Sequence, residues 1–171
     1  MYVYFLGVVF MDIIVLLVGG SYLLALTFCL IALFTPGWFW IGGDAHFGLI
    51  QMCLLGKCIT KTDWSSYEIG VLSLMCVAVA LMVLSMGLFI NGVIKKSVQS
   101  IDLSGVFIII SGCLCVLAAI IFIVYLQTLA HQKSYGYSFG FCWAADAMTL
   151  MTRYGLNSNR WHSSNPFQPL N

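Results

Sequence analysis

The sequence predicts an all-α membrane protein, a four-transmembrane-helix bundle carrying a small extracellular antiparallel β-sheet. Three observations predict it. Only 8% of the residues are charged and 61% are hydrophobic, whereas a water-soluble domain carries about 25% charged residues; lipid is the solvent that fits. Four long apolar runs alternate with polar stretches. The one sizeable polar stretch ahead of the C-terminal tail, residues 35–68, holds Cys53 and Cys58 together with Trp38, Trp40 and Trp64.

The formal net charge of +1 gives no case for nucleic acid or for a polybasic membrane anchor. Five of the seven cysteines (Cys29, Cys76, Cys113, Cys115 and Cys142) lie inside apolar runs, where a thiol behaves as a small hydrophobe.

The first run is apolar to residue 34 except for Asp12, with no Lys or Arg ahead of it. A signal peptide wants a basic start, a short apolar stretch and a cleavage site, so this run reads as a retained helix. A bilayer core needs about 20 residues, which places the span at 13–34, ended by Thr35-Pro36 because the residue before proline is pushed out of helix. Asp12 then sits near the helix N-terminus, where a carboxylate suits the macrodipole. The preceding residues form an interfacial extension, with Met11 as an alternative start to Met1.

The second span is 69–94 and the third 103–130; both lack charge and are long enough to cross with tilt. The polar link 91–102 makes them antiparallel neighbours. The fourth run is interrupted by Asp146 and reaches spanning length over 134–156 if Arg153 snorkels to the headgroups; a re-entrant or interfacial helix is the alternative. Residues 1–156 thus form one domain. Residues 157–171, rich in Asn, Ser and Pro, read as a disordered cytosolic tail.

Four residues separate Cys53 from Cys58. Two antiparallel strands joined by such a loop place the flanking thiols opposite each other, at a Cα spacing that suits a disulfide. A metal site or free thiols are the alternatives, though His46 alone does not complete a zinc site. Residues 36–41 are expected to continue as a strand pairing with 47–53, with Trp38 anchored at the headgroups. Lys95, Lys96, Arg153 and Arg160 against Lys57, Lys61 and Lys133 put both termini in the cytosol and the large loop outside, where disulfides persist.

Small residues recur at helical spacing in Ser111, Cys115 and Ala119, and in Gly136, Gly140 and Ala144. Such stripes let helices approach closely in lipid, and packing within the bundle is the first expectation. Asp146 lies away from the second stripe and is a candidate contact for a partner protein, or else reaches cytosolic water or Arg153. His46, His131 and His162 are isolated, and no nucleophile elbow, phosphate loop, zinc motif or paired carboxylate occurs. The expectation is a protein that is not an enzyme, with no cofactor, metal or small-molecule substrate. Its partners are membrane lipid and other membrane proteins.

The arrangement resembles the claudin superfamily of claudins, peripheral myelin proteins and channel gamma subunits, most closely its Clc-like branch. The family's first-loop pattern is a tryptophan, then Gly-Leu-Trp, then two cysteines; Trp38, Gly48, Leu49, Cys53 and Cys58 stand here in that order. Ser134-Tyr-Gly-Tyr-Ser-Phe139 also resembles the family's entry to its fourth helix. Ile50 replaces the second tryptophan, and the cysteines are closer together than is usual. The resemblance implies a multi-pass plasma-membrane protein acting through lateral and extracellular contacts at junctions or barriers. Its other implication is an auxiliary subunit that modulates a channel or receptor.

Overall fold

Apolar stretches without proline build helices here, since a helix satisfies its own backbone polar groups where lipid offers no partners. The computed structural model describes residues 2–40, 45–129 and 134–163. Within them the helices are α1 (Tyr2–Phe34), α2 (Ser66–Lys95), α3 (Val98–Leu129) and α4 (Tyr137–Ser163). The strands are β1 (Phe39–Trp40), β2 (Ala45–Phe47), β3 (Gln51–Leu54), β4 (Lys57–Thr60) and β5 (Ser134–Tyr135).

Local chemistry sets the helix ends beside the sheet and at the α2–α3 link. At the close of α1 the Thr35 N–H and hydroxyl both donate to the Ile31 carbonyl, at 3.0 and 2.6 Å. At the start of α2, Ser65 and Glu68 form a capping box in which each side chain accepts from the other's backbone N–H. That helix stops where Lys96 adopts the left-handed conformation (φ 52°) and Ser97 N–H reaches back to the Gly92 carbonyl at 2.9 Å. The polar link expected over 91–102 is therefore mostly helical and shrinks to Lys96 and Ser97.

Among the described residues three helices are long and apolar enough to cross a membrane, over Val15–Phe34, Ser66–Lys95 and Val98–Tyr125, against the four spans expected. Helix α4 is a long helix but differs from the expected 134–156 at both ends, because Ser134 and Tyr135 join the sheet and no proline interrupts the chain before Pro166. Residues 157–163, expected to be disordered, are helical; 164–171 lie outside the described residues.

Helix α2 packs chiefly on α3, and α1 on α4, with α3–α4 and α1–α2 contacts joining the two pairs. In the shared core, small residues (Cys29, Ala78, Cys115, Ala118, Ala119, Cys142 and Ala145, all fully buried) let the helices approach, and larger side chains such as Met75, Met82 and Ile108 fill the space between them. Many leucines and isoleucines face outward, with Leu16 74% and Leu150 67% exposed, as a lipid-facing surface requires. Buried hydroxyls tie the helices: the Tyr22 hydroxyl lies 3.0 Å from Ser85 Oγ and 2.7 Å from Ser104 Oγ, and Ser111 Oγ donates to the Ala78 carbonyl at 2.8 Å.

The strands form one antiparallel sheet in the order β4-β3-β2-β1-β5. The expected pairing of 36–41 with 47–53 is corrected: β1 pairs with β2 as Phe39↔Phe47 and Trp40↔His46, and with β5 on its other side. The chain bends at Leu49–Ile50 before β3. Gly48 explains the break, since a Cβ there would stand 2.5 Å from the Thr35 carbonyl oxygen and 2.6 Å from Pro36 Cα.

Candidate interaction surface and its mounting

Trp38 is the hub of the mounting. Pro36 has no N–H, so the Ala32 carbonyl, which would accept from residue 36 in a continuing helix, is left without its partner. The Trp38 indole N–H donates to it instead. The ring is fully buried and meets Phe122 of α3 edge-on at 4.6 Å and Phe139 of α4 at 6.2 Å. The headgroup anchor expected of Trp38 is thus corrected to a core side chain: packing of three helices around an orphaned carbonyl outweighs interfacial preference. Trp40, two residues on, is 41% exposed.

The α1 exit also caps α4. Gly136 N–H donates to the Trp38 carbonyl and Ser138 N–H to the Gly37 carbonyl, both at 2.9 Å, which satisfies donors that a helix start leaves open. Neither glycine has room to spare. A Cβ on Gly37 would lie 2.4 Å from the Tyr137 ring, and one on Gly136 only 2.0 Å from the Gly37 carbonyl oxygen. Thr35 and Ser138 join hydroxyls across the same junction. Leu49, 1% exposed, drives the loop's apolar end into the core beneath the sheet.

On the far side, Cys53 and Cys58 are register partners with their Sγ atoms at disulfide distance and their Cα atoms 4.0 Å apart. Leu55 and Gly56 turn the hairpin with φ of 51° and 77°. All of β4 is exposed. Its exit is tied down by the ion pair between Lys61 and the capping residue Glu68. Trp38, Gly48, Leu49, Cys53 and Cys58 therefore belong to one unit. Sequence reasoning missed the Gly37–Gly136 contact and the sheet's fifth strand; paired glycines flanking two helix ends were the available signal.

Of the two small-residue stripes, Ser111, Cys115 and Ala119 are fully buried, and Cys115 Sγ lies 3.7 Å from Cys29 Sγ. The other stripe is corrected. Gly136 precedes α4, Gly140 is exposed with open space where a Cβ would go, and Ala144 is half-buried. The packed face of α4 is instead Ser138, Cys142, Ala145, Thr149 and Thr152, because its partners α1 and α3 select the face.

Asp146 joins this packed face. It is 6% exposed, neither carboxylate oxygen has a hydrogen-bond partner, and it makes no ion pair with Arg153. Enclosed by the bundle, it is out of a partner protein's reach, which corrects that expectation. Arg153 instead lies over Gly105 of α3, where a Cβ would fall 2.2 Å from its Nη1. Among the described residues no group of three or more His, Cys, Asp or Glu is placed to hold a metal ion. No protein-family model and no curated protein matches the chain.

Proposed function

We propose that this chain is a claudin-like, non-enzymatic protein of the plasma membrane that acts through lateral and extracellular contacts at cell junctions or barriers. One observation carries the reading: a cystine-closed antiparallel sheet is fastened to the end of a helix bundle by the exit of α1 and the entry of α4. A rigid mounting of this kind suits a surface that must be presented at fixed height and angle. Helix α4 serves as the fourth span. It packs along α1 and α3, and its 27 residues are longer than a bilayer core requires. Both termini are then cytosolic and the sheet extracellular.

A second reading, an auxiliary subunit of a channel or receptor, draws on the short α3–α4 connection. Its Ser134 and Tyr135 are taken up as the sheet's edge strand, which leaves little chain to reach an opposing cell. Two measurements separate the readings. Expression in an epithelial monolayer changes transepithelial resistance under the first and leaves it unchanged under the second. Affinity purification in mild detergent recovers a stoichiometric larger membrane protein under the second alone.

A further inference from the structure

Side chains opposite each other in an antiparallel register share a face of the sheet. Tyr135, Phe39, Phe47, Met52 and Ile59 form one such row, and Leu54 with Lys57 lies on the same face, two residues along. This face looks onto the bundle: Phe39 stacks on Phe47 at 5.0 Å and meets Phe122 of α3 at 5.9 Å. Burial then falls away strand by strand. Phe39 is 8% exposed, Phe47 and Met52 are half-buried, and Ile59 reaches 54%, with Leu54 at 42%. The β3–β4 hairpin therefore overhangs the helices, with an apolar underside whose outer part, Leu54 and Ile59, is left exposed by the described residues.

The chemistry of that underside is specific. Residues 51–60 carry one cation, Lys57, and no acidic residue. The tip holds Leu55, 85% exposed at a positive φ where Asn is the preferred residue. Exposed leucine and isoleucine beside a lysine suit the boundary between acyl chains and headgroup phosphates, where the lysine stem lies along apolar surface and its ammonium reaches the phosphate, and water suits them poorly. We propose that the overhanging face of the hairpin, Met52, Leu54 and Ile59 with Lys57, rests on the outer-leaflet lipid of the bilayer that the helices cross. The sheet is then held at both ends, by the bundle under β1 and by lipid under β4. This inference depends on the membrane-spanning reading above.

The test uses the full chain, methyl-labelled and reconstituted in nanodiscs of phosphatidylcholine. Spectra are compared with nitroxide-headgroup lipid and, separately, with a water-soluble gadolinium chelate. The expected result is loss of the Leu54 and Ile59 methyl signals with the nitroxide lipid and their survival with the chelate. Lys57→Glu is expected to restore the Ile59 signal under nitroxide lipid. Loss to the chelate with survival under nitroxide lipid would overturn the proposal. Protection from both agents would overturn it too, since that marks a second protein copy on this face. Leu16 and Leu150, which face outward from the helices, report separately on spanning: if the chelate bleaches them, the membrane reading itself fails.

Discussion

At the scale of single residues, the mounting turns on groups that leave no slack. Trp38→Phe keeps an aromatic ring but returns the Ala32 carbonyl to its orphaned state, so a loss of about 1–3 kcal/mol is expected; thermal unfolding in detergent reads it. Two glycines on one sequence stripe should behave in opposite ways. Gly136→Ala drives a methyl into the Gly37 carbonyl and should cost about 1–3 kcal/mol through overpacking. Gly140→Ala meets open space on a helix and should be neutral or stabilise by up to about 1 kcal/mol. Asp146→Asn removes a buried carboxylate without partners, so the variant's unfolding temperature should rise; a fall would mean that the carboxylate holds a group the bundle needs. The motif made Trp38 and the cysteine pair legible as important, but not the task of Trp38. Tryptophan serves both interfaces and cores, and the deciding signal was a proline four residues past Ala32.

Among the elements, the helices were readable because hydrophobic length alone demands them, while their ends were not. Caps decide ends: the Ser65–Glu68 box starts α2, a left-handed Lys96 stops it, and β5 delays α4. The face that α4 buries was illegible for a related reason, since every stripe on a helix has the same period and only the neighbouring helices choose between them. The Cys53–Cys58 hairpin was legible from spacing. The bend after Gly48 was not, because it comes from contact with the α1 exit, distant from the strand pattern itself. Replacing both hairpin cysteines with alanine should cost about 2 kcal/mol, set by the short loop they close. Hydrogen exchange is expected to accelerate across 51–60 and to stay unchanged in α2 and α3. Glu68→Ala removes half of the capping box and the ion pair to Lys61 and should loosen the first turn of α2 at a cost of about 1 kcal/mol.

For the whole molecule, the governing fact is that leucines, isoleucines and valines face outward along three long helices, while the buried side chains mix small and hydroxylated residues with methionines and aromatics. That apolar exterior was visible in composition, and so was the polar loop expected to lie outside the lipid. The fourth helix was harder to place because Asp146, Arg153 and the asparagines beyond them dilute its hydropathy, and its packing against α1 and α3 is a tertiary property. Sidedness is the most direct test of the proposed architecture. Reporter tags placed in turn at residues 45, 98 and the C-terminal end of the chain are expected to report outside, inside and inside in intact cells. Tags at 45 and 98 found on the same side of the bilayer would contradict it.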